Sequence, residues 1–253
     1  MKTYYEDDYV KILHGDNREI LPQLGAFDCV ITSPPYNLRL RLRNGKYIKR
    51  MDSHHSQKYK NFSDALSMDE YFEQQKFVIE RCLQRSPLVF ANIQLATGNK
   101  TAWLQLMGFF AEQIRDIVIW DKKKATPAAN PGVLSRRAEF ILAFERSCED
   151  GGKALGRTFE RFYFEKGSVE DVWPIKTTNS GDPNNSAAFP LDLAYKILNN
   201  WTIPLDMVLD PWGGIGTTAL AAKNLSRHCV LIEIDEKCCE IAANRCRQES
   251  LEF

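Results

Sequence analysis

The chain has 253 residues, and its 33 Lys and Arg side chains balance 33 Asp and Glu side chains, so the formal net charge is zero. Its 44% hydrophobic and 26% charged residues are typical of a folded globular protein and exclude a mostly disordered, collagen-like or strongly basic chain. The longest apolar runs, such as residues 117–120, are too short to cross a bilayer, and the N-terminal residues lack the apolar stretch of a signal peptide. We therefore expect a cytoplasmic protein without a membrane anchor.

Short apolar strands alternate with helical patterns along the chain. In chain order, strands are predicted at residues 9–13, 27–31, 88–93, 114–120, 138–144, 207–210 and 229–234. Helices are predicted at residues 69–85, 101–107, 190–200, 219–224 and 236–248. This alternation indicates an α/β fold with a mostly parallel sheet.

Two stretches do not fit the alternation. Residues 38–60 hold eight Lys and Arg residues against a single acid, Asp52, which gives this segment a net charge of +7. The rest of the chain therefore carries the compensating negative charge. Residues 148–185 combine Gly151-Gly152 with interleaved aromatic residues and a polar, proline-containing end, which favours an insertion outside the sheet.

The seven cysteines predict neither disulfides nor a metal site. Their number is odd and they include no Cys-x-x-Cys pair. Cys238, Cys239 and Cys246 fall on a predicted helix, where we expect them to be small buried residues.

The strand at residues 207–210 ends in Asp210 and runs into the turn Pro211-Trp212-Gly213-Gly214-Ile215-Gly216 before a helix. Glycines here let a nucleotide-like ligand approach the backbone amides of a helix N-terminus, although a purely structural tight turn has the same pattern. The spacing is not the Gly-x-Gly-x-x-Gly of dinucleotide sites, and no Lys follows as in a phosphate-binding loop. The next strand reaches Glu233, whose carboxylate could accept both hydroxyls of a ribose, with Asp235 as the alternative.

The strand at residues 27–31 ends in the turn Thr32-Ser33-Pro34-Pro35-Tyr36-Asn37. Its two prolines fix φ and remove two backbone donors, which leaves a rigid rim of hydrogen-bond acceptors. The Ser33 hydroxyl and the Pro34 carbonyl can accept hydrogen bonds from an exocyclic amino group, and Tyr36 can stack on a planar ring. These groups suit the amine of a nucleobase, although two prolines can also simply end a strand while Tyr36 covers the core.

Ser33-Pro34-Pro35-Tyr36 resembles the catalytic motif of the DNA amino-methyltransferases, and the segment from Asp210 to Thr218 resembles their S-adenosylmethionine motif, usually Asp-Pro-Phe-x-Gly-x-Gly-Thr-Thr. The catalytic motif comes first along this chain, which is the permuted order of the β class. The resemblance covers roughly residues 9–247 and implies a single methyltransferase domain over residues 1–253, Rossmann-like and circularly permuted, with helices on both faces of its sheet. Further similarity is found at Gly15-Asp16, Trp120-Asp121-Lys122, Ala138-Glu139-Phe140-Ile141 and Ala188-Phe189-Pro190.

The resemblance also implies which residues form the site. The target-base site would consist of the four residues Ser33, Pro34, Pro35 and Tyr36. In the S-adenosyl-L-methionine site, Glu233 would bind the ribose and Asp16 would lie near the adenine. Phe189 and Pro190 would border the methionine end. The turn of this site would consist of Asp210, Pro211, Trp212, Gly213, Gly214, Gly216 and Thr217. Two residues depart from the family pattern, since Trp212 replaces the usual Phe and Leu231 stands where members often have Gly.

The implied reaction is direct methyl transfer from S-adenosylmethionine to the exocyclic amine of a base flipped out of the duplex. Methylation at cytosine C5 would need an activated cysteine, commonly in a Pro-Cys pair, and the chain contains no Pro-Cys. In the family, Ser at the first motif position is commoner among N4-cytosine enzymes, which favours cytosine N4. The continuation Tyr36-Asn37 is often seen in adenine-specific members, so adenine N6 stays open.

The basic segment follows the catalytic turn directly, where its side chains can contact the phosphates of double-stranded DNA beside the flipped base. A solvated loop is the alternative. We interpret residues 38–60 as a DNA-contacting loop and residues 148–185 as a small target-recognition insertion. The DNA-binding residues expected in the loop are Arg39, Arg41, Arg43, Lys46, Lys49 and Arg50.

Other partners and functions remain open at this stage. A homodimer would supply further DNA contacts, and a cognate restriction enzyme would complete a restriction-modification pair. An RNA methyltransferase and a catalytically silent DNA-binding subunit are the alternative functions. Protein glutamine methyltransferases usually have Asn before Pro-Pro-Tyr and place it after the cofactor motif, so Ser33 and the motif order speak against that class.

Overall fold

A computed structural model of the chain describes residues 2–37, 42–43, 46–47, 66–127, 131–146, 158–177 and 189–248. The helices of these residues are α1 Asn17–Ile20, α2 Met68–Arg85, α3 Lys100–Phe109, α4 Leu191–Trp201, α5 Thr217–Asn224 and α6 Glu236–Gln248, with a short 3-10 helix at Leu21–Gln23. The strands are β1 Lys2–Glu6, β2 Val10–His14, β3 Cys29–Thr32, β4 Leu42–Arg43, β5 Lys46–Tyr47, β6 Leu88–Ile93, β7 Ile114–Thr126, β8 Arg136–Glu145, β9 Val172–Pro174, β10 Met207–Asp210 and β11 His228–Glu233.

Nine of these strands form one sheet in the order β1-β2-β11-β10-β3-β6-β8-β7-β9. The five strands from β2 to β6 in this order are parallel, and β8 runs antiparallel to both β6 and β7. β1 is antiparallel to β2, whereas β9 is parallel to β7. The predicted α/β fold with a mostly parallel sheet is confirmed.

The core lies on both faces of this sheet because successive strand residues point to opposite sides. In β3, Cys29 and Ile31 pack with α4, α5 and α6 on one face, whereas Val30 packs with α2 and α3 on the other. α2 begins at Met68 because Ser67 and Glu70 form a capping box, in which each side chain accepts a hydrogen bond from the other residue's backbone N–H. The helices on both faces therefore bury a sheet that is apolar on both sides.

The chain changes direction in the sheet between β10 and β3, which are neighbours. From β3 it crosses through α2 to β6 on one side, and from β10 it crosses through α5 to β11 on the other side. In open α/β sheets, a crevice for ligands forms at the carboxyl ends of the strands where such crossings diverge. The fold thus places a ligand site after Thr32 and Asp210, where the two turns singled out in the sequence begin.

The segment at residues 148–185 was expected outside the sheet, and this expectation is wrong for residues 172–174. Val172–Pro174 forms β9 at the edge of the sheet, and Phe159 and Trp173 are buried in the core. These aromatic side chains need an apolar environment, which the face carrying Trp201 supplies. Residues 148–157 and 178–185 lie outside the described residues.

The cysteines are mostly core residues. Cys239 and Cys246 are buried in the packing of α6, as expected, while Cys238 is partly exposed. In the described parts of the chain, no cluster of three or more His, Cys, Asp or Glu side chains could hold a metal ion. None of the described helices is both long and apolar enough to span a membrane.

Candidate active site

Four parallel strands that are adjacent in the sheet carry the predicted site residues at their carboxyl ends. In sheet order these strands are β2, β11, β10 and β3. β2 is followed by Gly15-Asp16, and β11 ends in Glu233. β10 is followed by the turn at residues 211–216, and β3 by the turn at residues 33–37. The Gly15 N–H donates to the Glu233 carbonyl at 2.9 Å, which joins the first two strand ends. Residues far apart in the sequence are thus brought to one edge of the sheet, and we call this edge the carboxyl edge.

Asp210 joins the two turns. It is 2% exposed, and its carboxylate accepts the hydroxyl of Thr32 at 3.0 Å, the hydroxyl of Thr218 at 2.6 Å and the backbone N–H of Trp212 at 3.1 Å. Burial raises the pKa of Asp210 to about 6, although these three donors act in the opposite direction. The carboxylate therefore holds the end of β3, the cofactor turn and the start of α5 together.

The three glycines of the turn are needed for different reasons. A Cβ on Gly213 would lie 2.0 Å from Cγ of the buried Leu231, and a Cβ on Gly216 would lie 2.8 Å from Cβ of Ala242. Gly214 and Gly216 also adopt positive φ angles of 50° and 79°, which disfavour side chains. A Cβ on Gly214 would meet no atom within 4 Å, so the open space of the turn lies beside Gly214.

Glu233 lies beside Gly214 and is partly buried. Its Oε2 accepts the Gly214 N–H at 2.7 Å and its Oε1 accepts the Asp235 N–H at 2.8 Å. Burial raises the pKa of Glu233 to about 7 despite these hydrogen bonds. The Ile234 N–H also acts on this carboxylate, and since a carboxylate has about four acceptor positions, it can still accept a ligand hydroxyl.

The residues after β2 support the turn from the other side. Asp16 caps α1 by accepting the Arg18 N–H at 2.8 Å, and its carboxylate also pairs with the Arg18 side chain. Burial tends to raise the pKa of Asp16, but the hydrogen bonds from Arg18 outweigh it and lower the pKa. The neighbouring Asn17 donates from Nδ2 to the Pro211 carbonyl at 2.9 Å and so links α1 to the cofactor turn.

The Ser-Pro-Pro-Tyr turn presents two acceptors and uses its other carbonyls for support. The Pro35 carbonyl accepts the Tyr71 hydroxyl at 2.7 Å, and the Tyr36 carbonyl accepts Nδ2 of Asn99 at 2.8 Å. Within the described residues, no hydrogen bond engages the Ser33 hydroxyl or the Pro34 carbonyl. Ser33 is also partly exposed, so its hydroxyl can reach a ligand at the carboxyl edge.

Asn37 holds this turn from within. It is 1% exposed, adopts a positive φ of 48°, and donates from Nδ2 to the carbonyls of Leu66 and Gly98, each at 3.1 Å. Asn tolerates this left-handed conformation better than most residues. Its side chain is therefore turned into the protein and fixes the exit from the turn.

A buried polar cluster holds the hydroxyl of Tyr36. The hydroxyl donates to Oε2 of Glu139 at 3.0 Å, and Nδ2 of Asn92 donates to the same oxygen at 2.9 Å. The other oxygen of Glu139 accepts Nζ of Lys122 at 3.1 Å, in an ion pair of which both side chains are less than 10% exposed. The cluster fixes one end of the Tyr36 ring while the ring itself is partly exposed.

A family model for the DNA methylases of the N6 and N4 methyltransferase group matches residues 27–244, which include both turns. The chain belongs to this DNA methylase family. It is a DNA methyltransferase of the amino-methyltransferase type, and the cofactor of the family is S-adenosylmethionine. The resemblance seen in the sequence is confirmed.

Individual relatives and solved structures agree with this assignment. The Type II methyltransferase M.BglII of Bacillus subtilis is 26% identical over 267 residues, covering 92% of this chain and 67% of that protein. The M1.HpyAVI–SAM complex is 22% identical with a TM-score of 0.63, covering 93% of this chain and 98% of that one. The PvuII DNA methyltransferase (cytosine-N4-specific) is 15% identical with a TM-score of 0.70, covering 96% and 88%. The last two likenesses support the fold.

Three expected cofactor residues of this DNA methylase have structural contacts within the protein. Thr217 is buried, and Nη1 of Arg245 donates to its hydroxyl at 3.3 Å, while Thr218 bonds to Asp210. Phe189 is buried in the core on the α4 face, and Pro190 caps α4. Their contacts with a cofactor stay a prediction.

The expected DNA-binding residues of this DNA methylase are scarcely described. Arg39, Arg41, Lys49 and Arg50 lie outside the described residues. The backbones of Arg43 and Lys46 pair in the two-stranded ribbon β4–β5. Their role in DNA binding stays a prediction.

Several residues that shape the site were not identified from the sequence. Each of four residues contacts one of the turns through a hydrogen bond that no local pattern shows: Asn17, Tyr71, Asn92 and Asn99. Glu139 did carry a signal, since it lies in one of the segments similar to the family, but its bond to Tyr36 spans 103 residues of sequence.

Proposed function

We propose that this DNA methylase methylates the exocyclic N4 amine of cytosine in double-stranded DNA at a specific site. The observation that carries the proposal is the pair of acceptors at the carboxyl edge, the Ser33 hydroxyl and the Pro34 carbonyl, which lack hydrogen bonds within the described residues. They follow β3 directly and lie next to the turn after β10. An amine with two N–H groups is the ligand that such a pair of acceptors suits.

The turn after β10 fits S-adenosylmethionine. The open space beside Gly214 and the remaining acceptor capacity of Glu233 suit a ribose hydroxyl. Asp210 contributes by shaping the turn, because its oxygens are engaged by Thr32, Thr218 and Trp212. The cofactor supplies an electrophilic methyl group bound to a sulfonium.

The chain's own residues would act on the acceptor nitrogen. The lone pair of a nucleobase amine is delocalised into the ring, so the amine is a poor nucleophile. By accepting both N–H bonds, Ser33 and Pro34 would favour the pyramidal form in which the lone pair can attack the methyl carbon. The bond between this carbon and the sulfonium sulfur would break as the N–C bond forms, and the methylated nitrogen would then lose one proton to solvent. Tyr36, held through its hydroxyl by Glu139, would stack on the flipped base. Alignment of two reactants can lower a barrier by up to about 7–11 kcal/mol.

The choice of cytosine N4 over adenine N6 rests on Ser33. In the family this residue at the first motif position is commoner among N4-cytosine enzymes. The argument for adenine is the continuation Tyr36-Asn37. The Asn37 side chain lies inside the protein and donates to the carbonyls of Leu66 and Gly98, so a direct contact of this side chain with the base does not explain that pattern. Adenine N6 is the alternative product.

The product can be identified directly. The protein is incubated with methyl-labelled S-adenosylmethionine and DNA of mixed sequence, and in parallel with RNA of mixed sequence. Each nucleic acid is digested to nucleosides, and the labelled nucleoside is identified. We expect N4-methylcytosine. N6-methyladenine would replace cytosine by adenine in the proposal, label in RNA alone would identify an RNA methyltransferase, and no transfer with retained DNA binding would identify a silent DNA-binding subunit.

DNA contact by the basic segment is part of this proposal. The segment follows the catalytic turn, and each phosphate that it neutralises adds about 0.9 to the slope of log affinity against log salt concentration. Replacing Arg41 and Arg43 by Ala should reduce this slope. An unchanged slope would remove residues 38–60 from the DNA interface.

We also propose that residues 148–185 contribute to recognition of the target sequence and that the protein modifies sites of a cognate restriction enzyme. Relatives named Type II methyltransferases, such as M.BglII, support the second point. Its test is protection: DNA isolated from cells that express the chain should resist one restriction specificity. A homodimer would show as twice the monomer mass in light scattering.

A further inference from the structure

We propose that Arg245 is a positioning residue of the cofactor site, which acts through two peptide units of the glycine turn on the carboxylate of Glu233. Arg245 lies in the last turn of α6, outside both site motifs. The inference rests on the proposed function, because it assumes that Glu233 binds the ribose of S-adenosylmethionine. It adds a residue that holds this acid in its binding position from the opposite side of the turn's backbone.

Arg245 is bonded directly to the glycine turn. Its Nη1 donates to the Ile215 carbonyl at 2.8 Å and to the Thr217 hydroxyl at 3.3 Å. Arg245 is partly buried, and Ile215 is 7% exposed. A hydrogen bond from a charged donor is stronger than one between neutral groups, and surroundings of low dielectric strengthen it further.

A series of hydrogen bonds continues from the Ile215 carbonyl to Glu233. The peptide unit of this carbonyl also carries the Gly216 N–H, which donates to the Gly213 carbonyl at 2.9 Å. The peptide unit of the Gly213 carbonyl carries the Gly214 N–H, which donates to Oε2 of Glu233 at 2.7 Å. A guanidinium and a carboxylate therefore lie at the two ends of one series of hydrogen bonds.

The bonds of this series all point in the same direction. Each of the two peptide units accepts at its carbonyl on the side of the cation and donates from its N–H on the side of the carboxylate. Hydrogen bonds in such a series polarise and strengthen one another. Arg245 thereby makes the Gly214 N–H a better donor to the ionised carboxylate of Glu233.

Glu233 depends on such donors because its surroundings oppose its charge. Burial raises the pKa of Glu233, and the negative charge of Asp235 also raises it, whereas the N–H groups of Asp235, Gly214 and Ile234 lower it. The Gly214 N–H also fixes the orientation of the carboxylate, because it binds Oε2. A stronger bond from Gly214 therefore favours both the charge and the position that a ribose hydroxyl requires.

The helix that carries Arg245 also supports the turn by packing. α6 begins at Glu236, directly after the strand end that carries the acid, and Ala242 lies one helical turn before Arg245 on the same face. A Cβ on Gly216 would lie 2.8 Å from Cβ of Ala242, so the helix and the turn are in close contact. This contact holds the Gly216 peptide unit in the orientation that the series needs.

The first test measures S-adenosylmethionine binding by calorimetry for the wild type, Arg245→Ala and Arg247→Ala. Arg247 is the matched control, because it is an exposed arginine of the same helix that contacts Tyr5 and Asn244. Arg245→Ala should raise Kd by about tenfold, the lower end of what one hydrogen bond to a charged group contributes. Arg247→Ala should leave Kd unchanged, and Arg245→Lys, which keeps a charged donor, should restore most of the affinity. Equal losses in Arg245→Ala and Arg247→Ala would overturn the proposal.

A double-mutant cycle with Glu233→Gln tests the connection between the two residues. In the Glu233→Gln protein, Arg245→Ala should raise Kd by less than about threefold, because a neutral amide gains little from a polarised donor. The same tenfold loss in both backgrounds would show that Arg245 supports the turn independently of Glu233, and the inference would be wrong.

Methyl transfer separates binding from the reaction. Arg245→Ala should raise KM for S-adenosylmethionine while kcat at saturating cofactor stays at the wild-type value, because the series leads to the cofactor acid and not to the turn after β3. If urea unfolding shows that Arg245→Ala does not fold, Arg245→Gln, which removes the charge but keeps a polar side chain, takes its place in the cycle. Wild-type affinity in Glu233→Gln would remove the proposed role of Glu233, whereas wild-type affinity in the Arg245 variant alone would overturn only this inference.

Discussion

The two turns at the carboxyl edge differ in what their residues do. In the turn after β10, the motif residues mostly serve the turn itself: Asp210 is surrounded by donors, and Gly213 and Gly216 are required by Leu231 and Ala242. In the turn after β3, Ser33 and Pro34 keep their acceptors for a ligand, and the carbonyls of Pro35 and Tyr36 accept support from the distant side chains of Tyr71 and Asn99. The motif after β10 is therefore needed mainly for folding, and the motif after β3 is needed mainly for the reaction.

The difference changes how substitutions in the two motifs should be interpreted. A lost activity after a change in the glycine turn can report a lost fold, because buried atoms surround most of the turn. A lost activity after a change of Ser33 reports on the reaction, because its side chain is bonded to nothing in the described part of the protein. Four experiments can sharpen or break this contrast.

The largest effect is expected for Gly213→Ala. The new Cβ would lie 2.0 Å from Cγ of Leu231, which is fully buried, so the change should lower the free energy of unfolding by about 3 kcal/mol or more. Gly214→Ala is the matched control: its Cβ meets open space, so only the strain of a positive φ, about 1–2 kcal/mol, should remain. Both values come from urea unfolding.

A double variant tests the assigned cause. Leu231→Ala makes room for the Cβ at position 213, so Gly213→Ala should destabilise the Leu231→Ala protein less than it destabilises the wild type. Strictly additive losses would show that the clash with Leu231 is not the reason for glycine at this position.

Ser33→Ala should act on the reaction alone. A hydrogen bond to a group that becomes charged in the transition state contributes about 1.5–3 kcal/mol, so kcat should fall by about 10- to 100-fold. The free energy of unfolding and the affinity for S-adenosylmethionine should match the wild type, measured by urea unfolding and calorimetry. A loss of stability comparable with that of Gly213→Ala would erase the contrast between the two turns.

Glu233 predicts opposite pH trends for stability and for cofactor binding. Its pKa is about 7 in the folded protein and 4.5 in the unfolded reference, so the folded protein binds the extra proton between these values. The contribution of Glu233 to stability is therefore largest below pH 4.5 and is lost as pH rises toward about 7. Ribose hydroxyls donate to the ionised carboxylate, so affinity for S-adenosylmethionine should instead increase, by about tenfold per pH unit below the pKa.

The matched variant for this prediction is Glu233→Gln, which removes the titration. Calorimetry and thermal unfolding between pH 5 and pH 8 should show that both trends are weaker in the variant than in the wild type. Identical pH profiles of the two proteins would mean that another group titrates.

The smallest effect is expected for Tyr36→Phe. The ring is kept, but its hydrogen bond to Glu139 is lost, and a single hydrogen bond contributes about 0.5–1.5 kcal/mol. Methyl transfer should therefore fall only several-fold, and Tyr36→Ala, which removes the ring, should reduce it much further. Equal activities of the two variants would show that the hydroxyl, and not stacking by the ring, is the important part of Tyr36.

The sequence was sufficient for elements with strong local signals. β6, β10 and α6 begin and end where predicted, because their apolar runs are bounded by polar turns or follow a helical period. β1 was missed because its sequence Lys-Thr-Tyr-Tyr-Glu is largely polar, as suits an edge strand, and β9 was missed because it has only three residues.

The site was predictable where a motif marks it and not where packing creates it. Ser33, Tyr36 and Glu233 were identified from short motifs at strand ends. Position 213 requires glycine because Leu231 of the next strand packs against it. The hydroxyl of Tyr36 is held in place by Asn92 and Glu139, which come together because β6 pairs with β8. Such relations arise only when strands are placed side by side, so a single sequence does not show them.

The hydrogen bonds of Asp210 to Thr32 and Thr218 also have a mechanical consequence. They tie the catalytic turn to the cofactor turn at the buried ends of two neighbouring strands, so that neither turn can move without breaking buried hydrogen bonds. We therefore expect the spacing between methyl donor and acceptor site to be fixed before DNA arrives. The large displacement of the reaction then belongs to the nucleic acid, whose nucleotide must travel to a stationary transfer site.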